Sequence, residues 1–137
     1  MDKKTFTLDE ANALLPQLKA DLIRLRTLAK QFEERYLELE KGKASYSGKS
    51  FSHADEKDPF FEAEGQLDFM RVEADLLVAN FERKGVLLKM VNPGLIDFPA
   101  VIDGEHVLIC WKEGEERITH YHGWHDGFQG RKPLPDA

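Results

Sequence analysis

Three of the five histidines of the chain lie close together near its end, at His120, His122 and His125. If residues 117–122 form a strand, His120 and His122 point from the same face, because side chains alternate along a strand. Two imidazoles placed in this way can share a transition metal such as zinc, with His125 or Asp126 as a third ligand. The commoner explanation for such a pattern is an aromatic-rich tail, in which the histidines lie at the rim and make only hydrogen bonds.

Charged residues within reach of these histidines suggest two further kinds of chemistry. Asp97 interrupts an apolar run, and Glu115 lies in the turn before the histidines. A carboxylate beside an imidazole can orient a metal ligand or act as part of a general base. Arg131 follows two glycines and can bind a carboxylate or a phosphate. An exposed carboxylate on a half-buried strand and a surface arginine are the ordinary alternatives.

The composition limits the class of protein. The 137 residues carry a net charge of −6, which argues against a nucleic-acid partner, since phosphate binding needs a basic surface. No run approaches the roughly 18 apolar residues of a membrane span, and the first residues lack the apolar core of a signal peptide. The single cysteine, Cys110, cannot form an internal disulfide, which favours a cytoplasmic protein with a buried, inert thiol.

Two heptad patterns predict a helical hairpin. The first helix is expected over residues 8–41, with Thr7 and Glu10 as a capping box and Pro16 causing a kink or a separate first turn. Its apolar seam is Leu15, Leu18, Leu22, Leu25, Ala29, Phe32, Tyr36 and Leu39. Residues 42–58 are rich in Gly, Ser and charge, and we interpret them as a mobile tip rather than a binding loop.

The second helix is expected over residues 59–84, with Asp58 as N-cap and Gly85 as the stop. Its seam comprises Phe60, Ala63, Leu67, Met70, Ala74, Leu77, Phe81 and Lys84. A second apolar stripe consists of Phe69, Val72, Leu76 and Ala79. Because a hairpin needs only one seam, this stripe must cover either the C-terminal sheet or another copy of the protein.

After Gly85 the apolar period changes towards two, and an Asp103-Gly104 turn separates two β-rich runs. We predict an antiparallel meander of three or four strands, with Pro99 at an edge or a bulge. The chain is thus expected to be one α+β domain, residues 1–137. It would consist of a coiled-coil-like hairpin over 7–85, with the mobile loop 42–58, and a small sheet with a C-terminal tail over 86–137.

Four phrases together, FTLDEANALLP, GLIDFPA, LICWKEGE and YHGWHDGFQGRKPL, resemble an uncharacterised bacterial family, the domain-of-unknown-function family 2203. Members of it are sometimes labelled as cell-division-like proteins, and the resemblance implies no established activity. It ranks the residues, because His122 stands at the histidine of the family pattern, whereas His120 stands where the family is usually apolar and His125 has no fixed counterpart. Positions that also match are Asp97, Phe98, Pro99, Trp111, Gly114, Glu115, Gly127, Phe128, Gly130 and Arg131, with Tyr121 in place of a tryptophan.

Two functions are compatible with these features. We favour an oligomerising interaction module, a homodimer built on the second stripe of the hairpin or a module that binds a protein partner through its helices. The alternative is a small metal- or anion-binding enzyme around His122, with Asp97 and Glu115 as further catalytic candidates. In that case Arg131, Trp111 and Tyr121 would contact the ligand. A zinc-type metal would be held by His122 with His120 or His125.

Overall fold

The computed structural model describes residues 4–46 and 58–135. The elements are α1 (Leu8–Tyr46), α2 (Phe61–Arg83), β1 (Leu87–Met90), β2 (Leu95–Ile102), β3 (Glu105–Lys112), β4 (His120–Gly123) and β5 (Lys132–Pro133), with a 3-10 turn at Phe128–Gly130 between the last two strands. The strands form one antiparallel sheet in the order β1-β2-β3-β4-β5. The α+β prediction is confirmed, with one short strand more than the three or four expected.

Helix α1 begins at the predicted capping box. The backbone N–H of Thr7 donates to Glu10 Oε1 at 2.8 Å, and the N–H of Glu10 donates to Thr7 Oγ1 at 3.1 Å. The helix then runs without a break through Pro16 for 39 residues, about 58 Å. The expectation of a separate first turn was wrong, because Leu15 and Leu18 on either side of the proline are buried and hold the helix against its neighbours.

The apolar seam of α1 has two different partners along its length. Its first half, including Leu15, Leu18 and Leu22, packs in one core with the sheet and with Phe81 of α2. Further along, Leu28 is buried where Ala29 was expected, and Tyr36 is exposed. A straight helix of 3.6 residues per turn drifts away from a strict seven-residue repeat, which explains the displaced positions.

The end of α1 differs from the prediction. The helix continues to Tyr46 instead of ending at residue 41, and most side chains of its last turns are exposed. Tyr46 lies edge-on to Phe60 with ring centroids 5.6 Å apart, and Lys43 pairs with Glu64 at 2.9 Å. Residues 47–57, the rest of the segment predicted as a mobile tip, lie outside the described residues.

Helix α2 buries one apolar face and exposes the other. Leu67, Met70 and Phe81 of the predicted seam are buried, and Gly85 ends the helix with a positive φ of 86°. By contrast, Phe69 is 70% exposed and Leu76 is 55% exposed. The sheet therefore does not fold back over the second stripe, which removes one of the two explanations that the sequence allowed.

The sheet is organised around the predicted Asp103-Gly104 turn, whose residues have φ of 52° and 80°. This turn joins β2 and β3 in an unbroken register of eight pairs. The pairing of β1 with β2 reaches only to Asp97, and beyond it the carbonyl of Pro99 accepts a hydrogen bond from the N–H of Phe6. Pro99 lies where β2 has a strand on one side only, as its missing N–H requires.

Alternate residues of the strands face opposite sides of the sheet. One face packs against the helices and carries Ile96, Phe98, Ala100, Val107, Ile109 and Trp111. The other face carries Asp97, Leu108, Cys110 and His122, all of them buried. Neither helix of the described chain has the length and apolarity that crossing a membrane requires.

Candidate metal centre

Three polar side chains converge on the sheet face that points away from the helices. Asp97 on β2 pairs with Cys110 on β3, and His122 on β4 lies diagonally across from Cys110, whose own partner is His120. The exposed fractions of Asp97, Cys110 and His122 are 2%, 0% and 4%. Buried charges and imidazoles are rare unless they are paired or bind a metal, so this cluster needs an explanation.

The segment after β4 returns over this face. Its residue Phe128 lies beside Lys112 of β3, with the ammonium 5.2 Å from the ring centroid. The turn that starts this segment is closed by Asp126, whose carboxylate accepts the N–H of Gly123 at 3.3 Å. A Cβ on Gly123 would come within 2.7 Å of that carboxylate, so only glycine fits the turn without displacing Asp126.

The central contact joins Nε2 of His122 to Oδ2 of Asp97 at 3.2 Å. Nδ1 of the same ring lies 2.8 Å from the carbonyl oxygen of Gly123, and a carbonyl can only accept. Nδ1 therefore carries a hydrogen, and Nε2 either carries a second hydrogen, as in an imidazolium that pairs with Asp97, or presents its lone pair to the carboxylate. Because a lone pair and a carboxylate oxygen repel each other, this contact needs either a proton or a metal ion between the two atoms.

Cys110 completes a group of three metal-ligand types. One ligand atom of each of Asp97, Cys110 and His122 lies within 4.8 Å of the other two. Burial, and then the neighbouring charge of Asp97, raise the pKa of the Cys110 thiol to about 12. In the absence of a cation the thiol is therefore protonated near neutral pH and inert as a nucleophile.

Oδ1 of Asp97 is one of two buried polar side-chain atoms in the described residues that have no hydrogen-bond partner; the other is Nε of Arg131. An unsatisfied buried acceptor costs about 1–3 kcal/mol, and more when it is charged. The same carboxylate makes a side-chain hydrogen bond with the Cys110 thiol, and its oxygens, the thiol sulfur and the imidazole nitrogen are all donor types that a transition metal accepts. The carboxylate therefore has capacity for a further bond.

Glu115 and Arg131 form a second pair next to the first. Nη2 of Arg131 donates to Oε2 of Glu115 at 2.6 Å, and Oε1 of Glu115 accepts the backbone N–H of Lys112 at 2.7 Å. Both carboxylate oxygens are thus engaged, so Glu115 orients Arg131 and does not contact His122. The guanidinium also stacks on Phe128 at 4.6 Å.

The structure brings some of the site residues predicted from sequence together and places others elsewhere. Asp97 and His122 meet, as do Glu115 and Arg131. His120 is half-buried with Nδ1 2.8 Å from Thr119 Oγ1, and His125 is exposed; in the described chain neither belongs to the group of three. Trp111 and Tyr121 pack on the helix side instead, because each is one residue away from a residue of the cluster on its strand.

Cys110 was treated from sequence only as a buried thiol, although the sequence does contain the information that places it. Asp97 lies six residues before Asp103, and Cys110 lies six residues after Gly104. A two-residue hairpin turn pairs residues that are equidistant from it, so the pair follows from the turn that the sequence predicted.

Comparison with known proteins gives a family and no more. Neither the curated proteins nor the solved structures yielded a match to this chain. The family model described as "Uncharacterized conserved protein (DUF2203)" matches residues 4–134, nearly the whole length. The chain therefore belongs to the DUF2203 family of uncharacterised conserved proteins.

Proposed function

We propose that the protein binds a zinc-type transition metal through Asp97, Cys110 and His122. The single observation that carries this proposal is the 3.2 Å contact between Nε2 of His122 and Oδ2 of Asp97, made with the imidazole hydrogen on the opposite nitrogen. Two ligand atoms bound to one tetrahedral zinc at about 2.0–2.1 Å lie roughly 3.3 Å apart. The contact thus already has the spacing of a shared ion.

The ligand types favour zinc over magnesium or calcium. A thiolate and an imidazole are soft or borderline donors, whereas hard cations prefer oxygen alone. The hydrogen bond from Nδ1 to the Gly123 carbonyl is the outer contact that metal-binding histidines commonly make, and it fixes the ring orientation. Zinc with thiolate, carboxylate and neutral imidazole gives a site without net charge, which a buried position tolerates best.

The three-ligand set supports an open site rather than a purely structural one. Structural zinc sites usually have four protein ligands, while catalytic sites have three and leave a position for water or substrate. Within residues 4–46 and 58–135, no fourth His, Cys, Asp or Glu joins the group. Glu115, which the sequence suggested as a partner of His122, instead accepts hydrogen bonds from Arg131 and from the backbone N–H of Lys112.

The test is the metal content of protein produced without an affinity tag, followed by zinc titration of the metal-free protein against a chromophoric chelator. We expect close to one zinc per chain. His122→Gln should weaken zinc binding at least about 100-fold, since loss of even an outer contact costs 10- to 100-fold. Cys110→Ser should weaken it too, with little change of shape.

His120→Gln and His125→Gln are the matched controls, because each removes an imidazole from the same stretch outside the group of three. Both variants should retain zinc like the parent. If the parent binds no zinc at micromolar concentration, or if all three histidine variants bind it equally, the cluster is a hydrogen-bonded network that holds β2, β3 and β4 together.

A second function, self-association, is supported by the exposed stripe of α2. Phe69, Val72 and Leu76 of this stripe are 70%, 55% and 55% exposed, and Phe61 in the first turn of the same helix is 77% exposed. Burying them in both copies of a homodimer would remove roughly 900 Å² of apolar surface, close to the smallest specific interfaces. A second copy fits this surface because an isologous contact needs only one self-complementary patch.

Light scattering after gel filtration tests the dimer. We expect a mass near twice 15.7 kDa at micromolar concentration. Leu76→Glu should give a folded monomer, since this side chain is exposed within the protomer. Val101→Glu, which changes a residue of similar exposure (49%) on the sheet, should leave the mass unchanged. A parent mass of 15.7 kDa would exclude self-association by this stripe.

A further inference from the structure

Gly65 lies on the exposed apolar face of α2, where nothing within the described protomer requires a glycine. The residue is exposed, and a Cβ added to it would meet nothing within 4 Å among the described residues. Glycine destabilises the interior of a helix relative to alanine, because it loses more conformational freedom on folding. A depression of about 510 Å³ opens beside it, with Phe61 and Phe69 one turn away on either side. The apolar face therefore has a gap at Gly65 that a large side chain from outside the protomer can fill.

The exposed face continues through this gap with the spacing of a coiled-coil seam. Gly65, Phe69, Val72, Leu76 and Ala79 follow one another at intervals of four, three, four and three residues. All of them are exposed except Ala79, which is half-buried. The buried residues of α2 lie on the opposite side of the helix, against α1 and the sheet. A seam of this period that α1 does not cover fits a second helix packed at a small crossing angle.

The side-chain sizes along the seam fit an antiparallel copy of α2 and do not fit a parallel one. Around a two-fold axis that passes between residues 70 and 71, Leu76 lies opposite the partner's Gly65, and Phe69 lies opposite the partner's Val72. A large side chain thus meets the gap in the facing helix. In a parallel pair identical positions face each other, so Gly65 would lie opposite the partner's Gly65 and leave unfilled space.

The charges at the two ends of the seam are complementary in the same antiparallel arrangement. Glu62 and Arg83 lie beyond the apolar residues at opposite ends of the seam, and both are exposed. Glu62 lies opposite the partner's Ala79, so the partner's Arg83, one turn further along, reaches its carboxylate. Nη2 of Arg83 donates to Oδ1 of Asn80 in its own helix at 2.8 Å, which directs the guanidinium towards this face. A parallel pair would instead place Glu62 against the partner's Glu62 and Arg83 against the partner's Arg83.

One flank of the antiparallel pair carries like charges. Asp68 and Asp75 are both exposed on the same side of the seam. The two-fold axis brings Asp68 of each copy near the partner's Asp75, and neighbouring carboxylates of this kind repel each other. Removing one of the two carboxylates should therefore strengthen the association.

We propose that two copies of the chain associate through antiparallel α2 helices, with Leu76 of each copy packed at the partner's Gly65 and Arg83 of each copy paired with the partner's Glu62. This inference rests on the self-association proposed above and adds to it the direction and the register of the two helices. Because the arrangement has two-fold symmetry, each contact occurs twice in one interface.

Exchange of charge between Glu62 and Arg83 tests the register. The dissociation constant of the dimer is measured by sedimentation equilibrium on the full chain. Glu62→Arg and Arg83→Glu should each weaken the dimer about tenfold, because each converts two attractive pairs into two repulsive ones. The variant that carries both substitutions restores two attractive pairs, so its dissociation constant should lie within about threefold of that of the parent.

Asp75→Asn tests the same register from the flank and should strengthen the dimer about threefold, because it removes two like-charge contacts. In a parallel pair position 75 lies near the partner's Asn80 instead, so the same substitution would change little. Glu34→Arg is the matched control, since it reverses the charge of an exposed residue of α1 that lies outside the seam. This variant should associate like the parent.

The outcomes separate this inference from the self-association on which it rests. A parent chain that stays monomeric overturns both. A parent dimer that Leu76→Glu dissociates, but whose affinity neither Glu62→Arg nor Arg83→Glu changes, overturns the antiparallel register and leaves association through the stripe standing. A double variant as weak as the two single variants also overturns the pairing of Arg83 with the partner's Glu62.

Discussion

Asp97 and His122 are 25 positions apart in sequence, lie on strands that are not neighbours, and bring Oδ2 and Nε2 to 3.2 Å across the strand between them. The intervening strand contributes Cys110, which pairs with Asp97. The contact is therefore built by the middle three strands of the sheet together. Any change of register in β3 or β4 would separate its members.

Asp97→Asn is expected to weaken zinc binding at least about 100-fold while the protein stays folded, since the amide N–H donates to Nε2 in place of the shared proton or metal. His122→Ala, by contrast, leaves a buried carboxylate without its partner and should cost about 3–5 kcal/mol of stability. Zinc titration and thermal unfolding measure the two effects.

Asp126→Asn is the control for zinc binding, because this exposed carboxylate only closes the turn at Gly123. An Asp97→Asn variant that binds zinc as tightly as this control would contradict the proposed metal site.

The Cys110 thiol should make the metal-free protein less stable in alkali. Its pKa in the folded state is raised to about 12 from an ordinary value of 9.0, chiefly by burial. Between these pH values the folded state still holds the thiol proton, whereas the unfolded state has released it. The contribution of the protonated thiol to the free energy of unfolding is therefore complete below pH 9 and is lost as the pH rises towards 12. Chemical denaturation of the parent and of Cys110→Ser at several pH values in this range checks it, and the parent should lose more stability than the variant.

Glu113 should govern part of the stability in acid. The guanidinium of Arg26 and the N–H of Gly94 lower the pKa of this carboxyl to about 2 from an ordinary value of 4.5. The unfolded state takes up the proton first, so this contribution is complete above pH 4.5 and is lost as the pH falls towards 2. Glu113→Gln should flatten the stability curve over that interval, whereas Glu116→Gln should leave it like the parent. Identical acid limbs for parent and Glu113→Gln would show that the pair with Arg26 contributes nothing.

The pairing across the central hairpin could be predicted from sequence, because a two-residue turn determines the register on both sides of it. The heptads likewise predicted two antiparallel helices, and Gly85 the end of the second. The register of β4 could not be predicted in this way. The connection from Glu113 to Thr119 has no regular structure, so its length says nothing about which face His120, His122 and Tyr121 present. For the same reason Trp111 and Tyr121 were expected beside His122 and are found on the helix side.

Which of the two apolar stripes of α2 is buried could not be predicted from the sequence either. Both stripes have helical spacing and similar residue types, and only the position of α1 decides which one is buried.

The hydrogen-bond partners of Glu115 could not be predicted from the sequence either. A carboxylate in a turn near a histidine has several neighbours in range, and the backbone N–H of Lys112 and the guanidinium of Arg131 bind it in preference to His122.

Gly94 sets how closely the turn between β1 and β2 approaches α1. A Cβ at this position would lie 2.2 Å from Cδ2 of Leu22, a side chain that is fully buried in the core. Gly94→Ala therefore forces Leu22 and the turn apart and should destabilise the protein by about 1–3 kcal/mol. Gly65→Ala is the matched control, since this glycine lies within α2 and a Cβ there meets nothing within 4 Å. That substitution should stabilise the protein by about 0.5–1 kcal/mol through helix propensity. Urea denaturation of both variants measures the change in the free energy of unfolding, which should fall for Gly94→Ala and rise for Gly65→Ala. If Gly94→Ala were as stable as Gly65→Ala, the turn would not be held against Leu22, and the bond from Gly94 to Glu113 that the turn supports would lose its structural reason.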